Sequence, residues 1–219
     1  MYTGPHIVTN GLTLALDAGN TKSYPGSGTT WTDKSGFKNN GTLTNGPTYS
    51  NGNIVFDGTN DYIQLPISVS PSTSSRTFNA WINKTSTQTR WGIISTRDDL
   101  SSLARGATLM YTAGQLNYYH GGKSGIAFTY NIELNKYYNI CATYDAITLL
   151  ANLYVNGIFL TSGTIALPNT ATVGCLIAAE QVTSGYAQSQ IPLVTIYNRA
   201  LTLQEIQQNY NSTKTRYGL

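Results

Sequence analysis

The chain has 219 residues, of which 40% are hydrophobic and only 11% charged, against roughly 25% charged in an average soluble domain. Thirteen Lys and Arg oppose ten Asp and Glu, and the net charge of +3 is scattered, which excludes the clustered cations of a nucleic-acid-binding surface. Cys141 and Cys175 both sit in apolar runs; two cysteines make neither a disulfide framework nor a metal centre, so buried free thiols are expected.

Polarity comes instead from Asn, Thr, Ser and Gly, with 16 Tyr supplying most of the aromatic surface. That balance suits pleated, half-buried strands and tight turns, on a rigid extracytoplasmic or particle-bound binding surface. The N-terminal Met1-Tyr2-Thr3-Gly4-Pro5-His6 has neither the basic nor the apolar segment of a secretory leader. No apolar stretch approaches the ~18 residues of a membrane span, so no membrane association is expected.

In chain order, residues 7–17 contain a period-two run that places Leu12, Leu14 and Leu16 on one face. Residues 18–53 read as loop-rich, anchored by Trp31 and Leu43. Ile54-Val55-Phe56 opens a tight turn at Asp57-Gly58, and Tyr62-Ile63-Gln64-Leu65 leaves it. Arg76 to Asn83 alternates, with Phe78, Ala80 and Ile82 opposite Thr77, Asn79 and Trp81. Trp91 to Ser95 is a strand, and Thr108 to Tyr111 pairs with Gln115 to His120 around Ala113-Gly114.

Lys136 to Tyr144 and Ala151 to Val155 are strands, the latter turning at Asn156-Gly157, the dipeptide of a type I′ hairpin, with Ile158 to Leu160 returning. Leu176 to Ala179 and Leu193 to Tyr197 complete the set. Thr202-Leu203-Gln204-Glu205 is a capping box, starting a short helix with Leu203, Ile206 and Tyr210 on its apolar side. The tail Thr215-Arg216-Tyr217-Gly218-Leu219 reads as an end ordered by a partner or frayed. About a dozen strands, one helix and no βαβ alternation predict an all-β fold. The expected form is a two-sheet antiparallel jelly-roll sandwich, with residues 1–219 as one domain.

Several runs resemble a known family. Gly11-Leu12-Thr13-Leu14-Ala15-Leu16-Asp17-Ala18-Gly19-Asn20, then Trp31-Thr32-Asp33-Lys34-Ser35-Gly36 and Asn39-Asn40-Gly41-Thr42-Leu43, are similar to the opening of laminin-G-like domains of the concanavalin A-like lectin/glucanase superfamily. Phe56 to Tyr62 resembles that family's strand-turn-strand landmark, Asn135 to Asn139 with Ala142 to Asp145 its central strand, and Ile196 to Leu201 its closing strand and helix entry. The resemblance covers nearly the whole chain. It implies a concanavalin A-like sandwich but no single role, because the fold hosts lectins, glycosidases, adhesion modules and virion proteins. The Ser23 to Trp31 loop and the Tyr-Gly-Leu tail resemble those of structural proteins of tailed bacteriophages.

A glycosidase needs two carboxyl groups flanking the scissile bond. The three glutamates, Glu133, Glu180 and Glu205, read as solitary, and Asp98-Asp99 are adjacent, so on an extended chain they point apart. His6 lies in the N-terminal arm and His120 beside Gly121-Gly122, with no nucleophile in sequence context. No catalytic residue is therefore expected, and no cofactor apart from calcium, which the resemblance brings into question. Asp17, Asp57 and Asp61 are the weak calcium candidates. Asp57 and Asp61 are better placed to cap their own turn, and the Asp that relatives carry before the closing strand is replaced here by Gln190-Ile191-Pro192-Leu193.

A glycan site needs outward aromatics beside amide and charged groups. If Leu116 and Tyr118 face the core, Asn117 and Tyr119 face outward, with Trp91, Arg97 and Asp98 on a neighbouring strand and loop; ordinary surface and core is the competing reading. The expectation is a non-enzymatic structural or decoration protein of a bacteriophage virion, docked on a major capsid or tail protein, self-associating about local symmetry axes, and presenting a surface adhesive to cell-surface glycans. A stand-alone carbohydrate-binding lectin is the first alternative and a degenerate glycosidase the second.

Overall fold

A computed structural model of the chain describes residues 6–66, 73–97, 105–171 and 174–219. In chain order the strands are β1 (Leu12–Asp17), β2 (Thr30–Trp31), β3 (Gly41–Thr44), β4 (Thr48–Ser50), β5 (Asn53–Asp57), β6 (Tyr62–Gln64), β7 (Arg76–Lys84) and β8 (Arg90–Ser95). They continue as β9 (Ala107–Thr112), β10 (Gln115–His120), β11 (Gly125–Thr129), β12 (Tyr137–Asp145), β13 (Leu150–Val155), β14 (Ile158–Thr164), β15 (Leu176–Ile177) and β16 (Gln188–Tyr197). Helix α1 (Leu203–Thr213) and a 3-10 turn over Lys214–Tyr217 close the chain.

Two antiparallel sheets pack face to face. The first runs β14-β13-β12-β7-β16-β5-β4, with β1 also paired to β16; the second runs β11-β10-β9-β8-β15-β6-β3-β2. The sandwich and its single C-terminal helix match the expected class. Short strands β2, β3 and β4 lie inside the stretch that reads as loop, and β11 has no counterpart in the sequence reading. These strands are two to five residues long, too short to show a period.

Local chemistry explains the connections. Asn156 and Gly157 have φ of 52° and 74°, and Ala113 and Gly114 have 50° and 81°. Both central residues are thus left-handed, as a type I′ hairpin turn requires. Phe56, Ile63, Phe78, Trp91, Tyr118 and Tyr144 fill the space between the sheets, with Trp31 fully buried beside them. Leu14 and Leu16 join them, but the register of β1 on β16 slips between Leu12 and Leu14. Leu12 therefore sits with Val8 and Ala15 in a second cluster on the outer side of the first sheet.

The Asp57-Gly58 turn is not a hairpin. It carries the chain from β5 in the first sheet to β6 in the second. Asp57 Oδ1 accepts from Thr59 N at 2.7 Å, and Asp61 Oδ2 from Asp57 N at 3.2 Å, so both acids cap the turn as expected.

The closing segment ties the two ends of the chain together. Tyr197 Oη donates to Val8 O at 3.0 Å and accepts from Asn209 Nδ2 at 3.0 Å, while Asn209 Oδ1 accepts from Val8 N at 2.8 Å. Glu205 completes the capping box with Thr202 and also takes both Arg199 nitrogens, at 2.8 and 2.6 Å. Arg199 first, then the Thr202 amide, hold its carboxyl at about 2 despite partial burial. On α1 the buried side chains are Ile206, Asn209 and Thr213, whereas Leu203 is exposed. The helix docks through a mixed face: Ile206 packs into the apolar cluster with Leu12, Ala15 and Tyr197, while Asn209 and Thr213 meet polar groups. Trp81 Nε1 donates to Thr213 Oγ1 at 2.9 Å, and the Trp81 ring stacks on Tyr210 and Tyr217. The C-terminal tail is thus held by its own sheet.

Candidate functional site

The site is built on β8, β9 and β10 and on the excursion from β15 to β16. In β10, Leu116, Tyr118 and His120 are buried while Gln115, Asn117 and Tyr119 are half-exposed, so alternation places Asn117 and Tyr119 on the outward face as predicted. Asn117 Nδ2 donates to Gln115 O at 3.2 Å. Tyr119 stands opposite Thr108 of β9, which stands opposite Ser95 of β8. Arg97 lies just past Ser95, its guanidinium carbon 5.6 Å from the Tyr119 ring centre. The structure therefore gathers Arg97, Asn117 and Tyr119 on one side.

Trp91 does not join them. It pairs with Tyr111 on the inward face, fully buried with its ring 6.0 Å from that of Tyr111. An odd residue in β8 reverses the alternation: the register slips between Gly92 and Ile94, so Trp91 and Ile94 both reach the core. Asp98 lies outside the described residues.

The residue at the centre is Glu180, which the sequence leaves solitary. Its side chain is 1% exposed. Arg90 binds it through Nε to Oε2 at 2.9 Å and Nη2 to Oε1 at 2.8 Å, Tyr119 Oη donates to Oε1 at 2.8 Å, and Arg97 Nη1 also donates to Oε1. Burial on its own raises this carboxyl, but Arg90, Tyr119 and Arg97 outweigh it and hold the group below the usual carboxylate range. Burial, then the neighbouring Glu180, pushes the Tyr119 phenol up to about 12. Two guanidiniums on one carboxylate leave the cluster with one excess positive charge.

The backbone holds this arrangement closely. Ser95 Oγ donates to Glu180 O at 2.7 Å, and Gly92 N to Gly185 O at 2.9 Å. A Cβ on Gly92 would lie 2.3 Å from the Ala179 carbonyl, so only glycine lets the Ala179–Glu180 backbone approach. A stacked pair, Tyr62 and Tyr186 with ring centres 6.4 Å apart, adds aromatic surface on β6 and the same excursion. Glu180 does carry a signal in the sequence, since a lone acid ends the apolar run Leu176-Ile177-Ala178-Ala179; its arginine partners lie 83 and 90 residues away.

The calcium candidates are otherwise engaged. Asp17 takes both terminal nitrogens of Arg216, at 2.8 and 2.7 Å, and Asp57 and Asp61 cap their turn. Among the described residues no three His, Cys, Asp or Glu side chains gather as a metal site requires. His120 is fully buried at the end of β10, beside the turn at Gly121-Gly122. Its Nδ1 lies 2.7 Å from Ala166 O, its Nε2 lies 3.2 Å from Tyr118 Oη, and burial pulls its pKa down to about 4. Cys141 and Cys175 are free and buried, their thiols pushed up by burial. No helix among the described residues is long and apolar enough to cross a membrane.

Comparison with solved structures agrees with the architecture. A Trypanosoma rangeli sialidase in complex with 2,3-difluorosialic acid superposes with a TM-score of 0.71 at 17% identity, covering 93% of this chain and 33% of that one. The botulinum neurotoxin serotype D binding domain gives 0.68 at 14% identity, covering 93% and 52%. The binding domain of Paraclostridial Mosquitocidal Protein 1 gives 0.64 at 17%, again covering 93% and 52%. The chain thus spans about a third of the sialidase and half of each binding domain, and at these identities the likeness shows the fold alone. No curated protein matches the chain. The family model of the concanavalin A-like lectin/glucanases superfamily, of laminin-G type, matches residues 57–207. That match takes in most of both sheets, the Glu180 cluster and the start of α1, and the chain belongs to this superfamily.

Proposed function

We propose that this chain is a non-catalytic adhesive module that binds saccharides on the outward face of its second sheet. We further propose that it works as a structural or decoration protein of a bacteriophage virion, seated on the capsid or tail. The observation that carries the first statement is the state of Glu180. Most glycoside hydrolysis uses two carboxyl groups, one of them protonated through a raised pKa; sialidases, which use a tyrosine nucleophile, are an exception, and burial holds the Tyr119 phenol up at about 12, against that role. Glu180 is shifted the opposite way, and its described partners are two guanidiniums and a phenol, with no second carboxylate among them. It is a fixed anion that organises its neighbours.

What it organises suits recognition. Arg97 and Tyr119 are locked in place, Arg90 remains 59% exposed, and Asn117 offers an amide beside them. The toxin relatives named above are described as binding domains, and the sialidase relative holds a sialic acid derivative. Support for the virion setting comes from the low charge and the likeness of the Ser23 to Trp31 loop and the tail to phage structural proteins. A glycan array with the purified protein tests the adhesive role: saturable binding to a defined saccharide set, with no hydrolysis of any bound glycan, is expected. Hydrolysis abolished by Glu180→Gln would overturn the non-catalytic reading. Co-purification with phage particles tests the setting, and absence from particles would remove it.

A further inference from the structure

The outer side of the first sheet carries a separate open cavity of about 450 Å³, bordered by the β4–β5 turn, the start of β12 and the C-terminal 3-10 turn. Tyr49, Asn51, Asn53, Tyr137, Arg216 and Tyr217 form its walls. None of them belongs to the Glu180 cluster.

The walls are preorganised. Tyr217 packs on Trp81 with ring centres 4.2 Å apart, and Tyr137 packs on Tyr217 at 5.0 Å, giving a ladder of three rings. Tyr137 Oη donates to Asn53 Oδ1 at 2.9 Å, and Asn53 Nδ2 donates to Ser50 O and Asn51 O at 3.2 and 3.1 Å. The turn itself is fixed by Asn51 and Gly52, with φ of 47° and 80°. Arg216 is matched by both oxygens of Asp17, so the wall has no unbalanced charge.

Polar capacity is left over. The Asn51 amide and the Tyr49 hydroxyl are exposed and make no side-chain hydrogen bond among the described residues. Tyr217 Oη, sealed from the cavity by burial, has no hydrogen-bond partner among the described residues. Buried polar atoms are rarely left in this state. Ring faces, neutral amides and hydroxyls, with the one guanidinium already neutralised, complement a ligand that is itself uncharged, with apolar C–H faces and many hydroxyls.

We infer that this cavity is a second ligand site, which takes an uncharged hexose unit between the Tyr137–Tyr217 ladder and the Tyr49–Asn51 turn. It stands independently of the second-sheet face, and with both sites occupied each molecule is bivalent.

Protein-observed NMR titration with the methyl glycosides of glucose, galactose and mannose tests it. The expected result is that at least one glycoside, at millimolar concentration, shifts resonances of Tyr49, Asn51, Tyr137 and Tyr217. Its Kd should then rise about tenfold in Tyr137→Ala and in Tyr49→Ala. Tyr49 sits at the surface, so its replacement keeps the test open if Tyr137→Ala fails to fold. Shifts confined to Arg97, Asn117 and Tyr119 would overturn this site while sparing the second-sheet face. Unchanged affinity in Tyr49→Ala and Tyr137→Ala, no shift with any of the three glycosides, or preferential binding of glucuronic acid here would each overturn it as well.

Discussion

His120 ties the stability of the sandwich to pH. It is one of two histidines in the chain, and it lies in the core with its ring 4.4 Å from that of Tyr144 and 5.4 Å from that of Tyr118. Burial and the Arg76 guanidinium disfavour a charged imidazole, the bond to Ala166 O only partly offsets them, and the pKa falls from the ordinary 6.5 to about 4. The unfolded chain therefore binds a proton below pH 6.5 that the folded chain refuses until about pH 4. Stability from this group is fully present above the unfolded pKa and is lost as pH falls between the two values. At 1.36 kcal/mol per unit, the loss is about 2 kcal/mol by pH 5 and about 3 kcal/mol by pH 4. Urea denaturation followed by tyrosine and tryptophan fluorescence, at half-unit steps from pH 7.5 to pH 4, measures it. The wild type should decline along this curve, and His120→Gln, whatever its starting stability, should stay nearly level until carboxylates begin to titrate. Parallel curves for the two proteins would show that the imidazole is not held neutral by burial.

Four other substitutions probe separate parts of the fold. Glu180→Gln strips the counter-charge from Arg97, whose side chain is only 19% exposed; a loss of about 3 kcal/mol is expected by denaturation at pH 7, the low side for a broken buried pair because Arg90 stays solvated. Gly92→Ala drives a methyl into the Ala179 carbonyl and should cost about 3 kcal/mol in the same assay. Trp81→Ala removes the anchor of α1 and the tail at a cost of about 3–5 kcal/mol, and hydrogen exchange should quicken across residues 203–217. Tyr217→Phe deletes an unpartnered buried hydroxyl, and in the unliganded protein it should leave stability unchanged or raise it by about 1 kcal/mol.

Much of the scaffold was legible because its signals are local. Alternation groups Phe78, Ala80 and Ile82 on one face and sets Asn117 and Tyr119 opposite Leu116 and Tyr118; Asn-Gly and the capping box locate a hairpin and the helix. What escaped depended on non-local geometry. The bulge at Gly92 sends Trp91 into the core against simple alternation. Leu203 has helical spacing but is exposed, because the docking of α1 on the sheet gives the apolar cluster with Leu12, Ala15 and Tyr197 to Ile206 instead. Glu180 reads as solitary until the fold brings Arg90 and Arg97 to it. The Tyr137–Tyr217 ladder joins residues 80 positions apart on elements that never pair, and no spacing rule reaches that far.

The central claim is that the face organised by Glu180 binds saccharide without cutting it. Its most direct test is calorimetric titration of the best array ligand into wild type and Arg97→Ala, with product analysis of the glycan afterwards. Saturable binding in the wild type, weakened about tenfold or more by Arg97→Ala, with the glycan recovered intact, is the predicted result. Equal affinity in the two proteins, or recovery of cleaved glycan from the wild type, would contradict it.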